Sequence, residues 1–151
     1  MIKKLYLAHP LEMREEIRKI ELKIEKCIDI ELVNPFFDLI KRDLSGVNKD
    51  LNKYWQNLDY NNIVENDLRA IEYCDGIVAY IERKQPTIGT LFEIWHCYKV
   101  LQKPVFIVSP DSNSHPWIRH IVEKSAGKSF DNWIQFANYM TAEDNVKKYL
   151  I

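Results

Sequence analysis

The sequence predicts an α/β fold, a doubly wound parallel sheet of four to five strands in a flavodoxin-like or Rossmann-like arrangement. Short apolar runs alternate with longer segments whose apolar residues recur at three- and four-residue steps, the period of amphipathic helices. The runs at 77–81 and 105–108 are apolar throughout, which is typical of strands buried on both faces of a parallel sheet. Because parallel neighbours need crossover connections, this alternation favours helices between successive strands.

The first half of the chain supplies two of the predicted strands. Residues 5–8 form a short strand that stops before Pro10, since proline restricts the preceding residue to extended geometry. An amphipathic helix over 11–27 and a second strand over 30–33 follow. Residues 36–56 show no clean period, and such a segment in a compact domain is typical of a lid or a binding loop.

The second half of the chain continues the alternation. A helix over 61–74 leads through an Asp75-Gly76 turn into the strand at 77–81. The remaining predicted elements are a helix that follows Gly89-Thr90 and ends at Gln102, the strand at 105–108, a helix over 117–125 and a final helix over 132–149.

Length and composition bound the class of protein. The 151 residues suit one domain over 1–151, and 46% hydrophobic with 28% charged residues excludes a disordered chain. The 21 basic and 22 acidic side chains leave a net charge of -1, so no global field attracts nucleic acid or an anionic membrane. No apolar stretch approaches the ~20 residues that span a bilayer, and the N-terminal run is shorter than a signal-peptide core. We expect a cytoplasmic protein with no nucleic-acid or membrane partner.

The cysteines and histidines indicate neither disulfides nor a metal site. Cys27, Cys74 and Cys97 lie far apart in partly apolar helical runs, so we expect buried thiols in a reducing cytoplasm. The histidines at positions 9, 96, 115 and 120 show no ligand spacing with cysteine or acid. We therefore predict no metal and no other cofactor.

Ligands of doubly wound sheets bind outside the carboxyl ends of the strands, near the switch in strand order. That rule places residues 8–10, 82–89 and 109–115 around one crevice. The candidate substrate-binding residues in the first two of these segments are His9, Pro10, Thr87 and Gly89.

Glu93 is the candidate nucleophile. It follows Gly89 by four residues, near the N-terminal end of its predicted helix, where the helix field keeps a carboxylate ionised and able to attack. A plain first-turn charge is the alternative interpretation. Asp67 and Tyr6 are further candidates, although a solvated acid on a polar helix face and a core tyrosine fit these positions as well. His96, one turn from Glu93, is interpreted as a packed side chain without a catalytic role.

Four segments stand in a recognisable order and spacing. They read Leu-Tyr-Leu-Ala-His-Pro at 5–10, Asn-Asp-Leu-Arg-Ala-Ile through Cys-Asp-Gly-Ile-Val-Ala at 66–79, Gly-Thr-Leu-Phe-Glu-Ile at 89–94 and Leu-Gln-Lys-Pro-Val at 101–105. Together they resemble the nucleoside 2-deoxyribosyltransferase family and its nucleotide N-glycosidase relatives, over roughly residues 2 to 110.

The resemblance implies roles for the three candidate catalytic residues. Glu93 matches the family's nucleophile, which attacks the anomeric carbon and forms a covalent deoxyribosyl ester. Tyr6 matches the tyrosine that orients this carboxylate, and Asp67 matches an acid that contacts the base. A covalent step suits the reaction because it divides one difficult displacement into two easier ones.

The sequence departs from the family pattern next to the nucleophile. Transferases commonly carry an aspartate in the loop before the glycine, whereas residues 85–89 read Gln-Pro-Thr-Ile-Gly. Thr87 forms hydrogen bonds but supplies no acidic proton, and some nucleotide-hydrolysing relatives have a small hydroxyl residue here. Trp95 replaces a frequent glycine, so the local helix packing must differ.

The loop at 112–119 is a further departure. Transferases place there polar residues that reach the 5′-hydroxyl of a substrate in the neighbouring subunit. Here the loop offers a set that could hold a 5′-phosphate, because arginine pairs with phosphate oxygens in fixed geometry, although a solvated surface is equally consistent: Ser112, Ser114, His115 and Arg119. A site completed by a neighbour's loop implies a homo-oligomer, at least a dimer.

Three functions stay open. The resemblance favours transfer of a deoxyribosyl group from a 2′-deoxynucleoside to another nucleobase. The alternatives are hydrolysis of 2′-deoxynucleoside 5′-monophosphates and non-catalytic sensing of a nucleotide, since fold does not fix function.

Overall fold

A computed structural model describes residues 2–38, 56, 58–85 and 87–144. Its centre is a five-stranded sheet in the order β2-β1-β3-β4-β5, and every strand pair is parallel. The predicted α/β fold is confirmed. The strands are β1 (Lys4–Ala8), β2 (Glu31–Val33), β3 (Gly76–Tyr80), β4 (Val105–Val108) and β5 (Lys128–Phe130).

Helices connect the strands and cover both faces of the sheet. A short 3-10 turn, Leu11–Met13, precedes the helix that begins at Arg14. A π turn, His96–Val100, follows the helix that ends at Trp95. The helices are α1 (Arg14–Cys27), α2 (Tyr60–Tyr73), α3 (Ile88–Trp95), α4 (Pro116–Lys124) and α5 (Trp133–Asp144).

Alternate residues of each strand enter different core clusters. Tyr6 and Ala8 pack with residues of α2, α3 and α4, whereas Leu5 and Leu7 pack with residues of α1 and α5. Because successive side chains of a strand point to opposite faces, a strand covered on both faces must be apolar throughout. This explains why β3 and β4 read as continuous apolar runs.

A close backbone approach fixes the start of β3. A Cβ atom on Gly76 would lie 2.6 Å from the carbonyl oxygen of Pro104, so only glycine fits there without a shift. The neighbouring Asp75 carboxylate accepts hydrogen bonds from the backbone N–H groups of Lys3 and Lys4, at 2.8 and 2.9 Å. These bonds hold the pKa of Asp75 below its usual value and join the starts of β1 and β3.

Several sequence expectations need correction. The strand β5 lies in a segment where none was predicted, because an edge strand of three residues, Lys-Ser-Phe, has no apolar run to announce it. Cys27 is exposed, whereas Cys74 and Cys97 are buried free thiols whose pKa values burial raises to about 11 and about 12. The helix that was predicted to run to Gln102 ends at Trp95, and the chain continues as the π turn.

Two expectations fall largely on residues that the structure does not describe. Most of the predicted lid at 36–56, and the end of the last helix beyond 144, lie outside the described residues. Among the helices that are described, none has both the length and the apolar character needed to cross a membrane.

Candidate active site

A cavity of about 250 Å³ opens beside the carboxyl end of β1 and the start of α3. It brings together five residues that the sequence singled out, together with an apolar set that it did not. The lining consists of His9, Leu11, Phe36, Leu58, Ile63, Asp67, Thr87, Gly89, Thr90 and Glu93.

Glu93 lies on α3 with its carboxylate on the cavity side. One oxygen, Oε1, is 3.6 Å from the place where a Cβ atom on Gly89 would stand, so the side chain reaches back over the first turn of the helix. The other oxygen, Oε2, is buried. One carboxylate oxygen is therefore shielded from bulk solvent, and the absence of a side chain at Gly89 leaves space next to the other.

The predicted place of Glu93 at the start of its helix is wrong. The helix begins at Ile88, before the Gly89-Thr90 pair that was expected to precede it, and Glu93 is its sixth residue. The field of a helix terminus fades beyond the first turn. Glu93 therefore does not lie in the first turn of α3, and the N-terminus of the helix does not stabilise its carboxylate.

Thr87 caps the helix that carries Glu93. Its hydroxyl oxygen accepts a hydrogen bond from the backbone N–H of Thr90 at 3.4 Å, and its O–H donates to the buried hydroxyl of Thr90 at 2.9 Å. A threonine in this position satisfies one of the helix's first free N–H groups. Thr87 thus borders the cavity and also holds the first turn of α3.

Asp67 lies on the cavity face of α2. Ile63 and Asp67 are four residues apart, share one face of the helix and both line the cavity. Asp67 is half-buried, so it does not stand on a solvated face. The structure brings this acid into the same cavity as Glu93.

Tyr6 lies in the core and does not line the cavity. It is fully buried on β1, its hydroxyl oxygen included, and it belongs to the cluster that contains Ile94, the neighbour of Glu93. Pro10 is also buried and also absent from the lining, but its carbonyl oxygen accepts hydrogen bonds from Met13 N and from the His9 ring.

His9 forms a fixed part of the cavity wall. Its ring is 4% exposed, with Nδ1 3.0 Å from the Pro10 carbonyl oxygen and Nε2 3.2 Å from Asn34 Oδ1. The His9 and Phe36 rings are tilted against each other with centroids 5.0 Å apart. Burial lowers the pKa of His9, while the two hydrogen bonds act in the opposite direction.

Sequence reasoning missed the polar residues behind His9. Asn34 is completely buried at the end of β2, and its Nδ2 donates to Glu21 Oε2 at 2.8 Å. Glu21 is 1% exposed on α1, and burial raises its pKa to about 7. A signal was present, since Glu21 falls four residues after Ile17 and three before Ile24, on the apolar stripe of the helix.

The predicted phosphate-binding loop does not reach this cavity within the subunit. Ser112 and His115 line a second, mostly apolar groove of about 600 Å³, while Ser114 and Arg119 are exposed and line neither space. His115 also caps α4, since its Nδ1 accepts from Trp117 N at 3.3 Å. The groove is lined by Ile81, Leu91, Phe92, Ile94, Trp95, Ser112, His115, Trp117, Ile118 and Ile121.

Neither His96 nor a metal cluster adds to the cavity. His96 lines neither space, and its buried Nε2 has no hydrogen-bond partner among the residues described. In the same part of the chain, no group of three or more His, Cys, Asp or Glu side chains is placed to hold a metal ion.

Comparison with known proteins gives a family and three structural neighbours. The family model for nucleoside 2-deoxyribosyltransferase matches residues 5–147. A 2-deoxyribosyltransferase from the psychrotolerant bacterium Bacillus psychrosaccharolyticus is similar in structure, with TM-score 0.64, 23% identity and coverage of 93% of this chain and 94% of that one. No curated protein matches the sequence significantly.

Two further solved structures share the fold. A conserved protein from Enterococcus faecalis V583 has TM-score 0.70 and 16% identity, covering 93% of this chain and 98% of that one. A CMP N-glycosidase from Clostridium botulinum has TM-score 0.59 and 17% identity, covering 91% and 97%. At these identities the likeness concerns the fold.

Proposed function

The chain belongs to the nucleoside 2-deoxyribosyltransferase family, and we propose that it cleaves the N-glycosidic bond of a 2′-deoxynucleoside and transfers the sugar to another nucleobase. The observation that carries the proposal is the presence of Glu93 and Asp67 in the lining of one cavity at the strand ends. That is where doubly wound sheets bind their ligands.

In the proposed mechanism Glu93 is the nucleophile. Its carboxylate oxygen forms a bond to the anomeric carbon while the bond between that carbon and the base nitrogen breaks, and the electron pair leaves with the base. The nitrogen of a second base then attacks the same carbon and releases the Glu93 carboxylate. Division into two displacements lowers each barrier, and a carboxylate next to the anomeric carbon stabilises the positive charge that develops there.

The other cavity residues bind and orient the substrate in this proposal. Asp67 contacts the base, and Tyr6 orients the Glu93 carboxylate from the core side. The rings of His9 and Phe36 form a wall against which a flat base can pack. The hydroxyl of Thr87 is weakly acidic and serves the helix cap, so it is a poor proton donor to the leaving base.

Hydrolysis of 2′-deoxynucleoside 5′-monophosphates is the second candidate function. The hydroxyl side chain of Thr87 in place of an acid favours it, as does the polar segment 112–119, whose Arg119 lies on α4. Within one subunit this loop lies outside the cavity lining. It contributes to phosphate binding in this proposal only if a neighbouring subunit presents it.

We therefore include a homo-oligomer, at least a dimer, in the proposal. The second groove displays large apolar side chains to solvent, with Leu91 50%, Phe92 70% and Trp117 63% exposed. Contiguous apolar surface of this kind is typical of protein interfaces. The free thiols of Cys74 and Cys97 fit a reducing compartment, so we place the enzyme in the cytoplasm in this proposal.

A base-exchange assay tests the proposed function. The protein is incubated with a deoxynucleoside and a different free base, and the exchanged nucleoside is the expected product. Free sugar without exchange contradicts transfer and supports hydrolysis; a faster rate with the 5′-monophosphate than with the nucleoside supports the nucleotide substrate. Tight binding of a nucleotide without any product over long incubation supports a sensor instead.

A further inference from the structure

We propose that Glu21 and Asn34 are positioning residues of the cavity, which hold the ring of His9 in one orientation on the wall where substrate binds. The inference rests on the proposed function of this cavity. Neither Glu21 nor Asn34 lines the cavity. A buried chain of hydrogen bonds connects them to its wall, from Glu21 on α1 to Asn34 at the end of β2 and then to His9 at the end of β1.

The orientation of Asn34 is determined by its neighbours. Its Oδ1 accepts from the backbone N–H of Phe36 at 3.1 Å, and a backbone N–H only donates. Its Nδ2 must therefore face Glu21, where it donates to Oε2 at 2.8 Å. The opposite assignment of the amide would break both bonds.

The same logic applies to His9. Asn34 Oδ1 and the Pro10 carbonyl oxygen are both acceptors, and each lies within hydrogen-bond distance of one ring nitrogen. Rotation of the ring breaks both contacts. Because neither nitrogen is directed at the cavity, His9 contributes a rigid surface and does not exchange protons with substrate.

Glu21 anchors the chain at its far end. Its two carboxylate oxygens have separate partners: Oε2 accepts a hydrogen bond from Asn34, and Oε1 accepts one from Arg18 Nη1 at 2.8 Å. Arg18 also lies 3.4 Å from Asp38, whose carboxylate accepts from the backbone N–H of Asn34. The network therefore fixes both the side chain and the backbone of Asn34.

A buried carboxylate among apolar neighbours is costly compared with a well-packed apolar residue. Glu21 occupies such a place between Ile17 and Ile24. A carboxylate accepts two hydrogen bonds from opposite sides, whereas an aliphatic side chain accepts none, so Glu21 fixes the directions of its partners. Through Asn34, these bonds hold His9 in the wall of the cavity.

The kinetic test uses Glu21→Gln, which keeps the shape but leaves one acceptor oxygen for two donors. A wall contact acts equally on bound substrate and transition state, so we expect KM to rise about tenfold with kcat changed less than about threefold. Glu15→Gln, at an exposed position on the same helix, is the matched control and leaves both unchanged. A fall in kcat with constant KM overturns the inference.

A double-mutant cycle separates positioning from general destabilisation. If Glu21 acts through His9, adding Glu21→Gln to His9→Ala has no further effect on KM beyond that of His9→Ala alone. Effects that multiply show that the two residues act independently and overturn the proposal.

Nitrogen-15 NMR of the histidine rings tests the inference without turnover. In the wild-type protein we expect one fixed His9 ring state with Nε2 protonated, because Asn34 Oδ1 only accepts, and a shifted signal in Glu21→Gln. Averaging between tautomers in the wild type overturns the inference even if the variant does not fold. A fixed ring together with no base exchange refutes the proposed function but leaves the positioning of His9 supported.

Discussion

The two spaces beside α3 differ in chemistry although one helix borders both. The smaller cavity contains Asp67 and Glu93 and has His9 on its wall, whereas the larger groove is bordered mainly by aromatic and aliphatic side chains, among which Trp95 and Trp117 are exposed. Charged groups suit chemistry on a polar substrate, and a wide apolar surface suits contact with another protein. A single helix of eight residues thus separates the proposed reactive face from the proposed association face.

The largest expected effect concerns the reactive face. Glu93→Ala removes the proposed nucleophile, and we expect kcat to fall by about three orders of magnitude or more with the assembly unchanged. Glu72→Ala, an exposed acid on α2, is the control and keeps full rate. Product formation measured at equal protein concentration checks this, and a fall of less than tenfold removes Glu93 from the nucleophile's role.

The next effect concerns the association face. Trp117→Glu places a charge in the apolar groove, which costs several kcal/mol if the groove is buried between subunits. Light scattering should show the mass of a monomer, and the rate should fall if a neighbour's loop completes the site. Ile134→Glu, 72% exposed on α5 and outside both spaces, should keep the wild-type mass. A monomeric wild-type protein that turns over refutes the oligomer.

A smaller effect concerns Glu21, which lies behind the cavity wall, and appears in the pH dependence of stability. Burial raises the pKa of Glu21 from 4.5 to about 7, so folding favours its protonated form. The stability gained from this is present below pH 4.5 and is lost as the pH rises through about 7, by up to roughly 3 kcal/mol.

Urea denaturation of wild type and Glu21→Gln at pH 5 and pH 8 measures this effect. We expect the variant to gain stability relative to wild type between the two values, because glutamine does not ionise. The difference between wild type and Glu15→Gln should stay constant over the same range. If the free energies of unfolding of wild type and Glu21→Gln differ by the same amount at pH 5 and pH 8, the raised pKa of Glu21 is contradicted.

The smallest effect tests the space next to the nucleophile. Gly89→Ala places a methyl group 3.6 Å from Glu93 Oε1, an ordinary contact, so the protein should fold and gain roughly 0.5–1 kcal/mol from better helix propensity. The methyl group occupies cavity space, and we expect KM to rise about three- to tenfold. Thermal unfolding and steady-state kinetics measure the two changes, and an unaltered KM shows that substrate does not use this space.

The rule for strand ends predicted part of the cavity from the sequence. It located His9, Thr87 and Gly89 because parallel strands end at one edge and the buried apolar runs made β1 and β3 easy to find. Glu93 was a candidate from its place four residues after Gly89, but the roles of Glu93 and Asp67 came from family resemblance, since no spacing rule distinguishes one helical acid from another. The sheet itself followed from the apolar runs of β1, β3 and β4 and from the short mixed run at 30–33 that contains β2, whereas β5 has no such run.

What the sequence did not reveal depends on the packing of distant segments. Glu21 and Asn34 are 13 residues apart and meet only because α1 packs beside β2. Ser112 and His115 lie beyond the end of β4, yet they line the apolar groove instead of the Glu93 cavity, and strand order alone does not decide that. Loop conformation sets these positions, and a single sequence carries little information about it.

Glu93 and Trp95 are two positions apart on α3, so their side chains leave the helix axis about 200° from each other. A partner that packs on Trp95 and rolls α3 about its axis would move the Glu93 carboxylate in the opposite direction. Association at the groove would then change the position of the proposed nucleophile. Turnover per chain should consequently vary on dilution through the dissociation range.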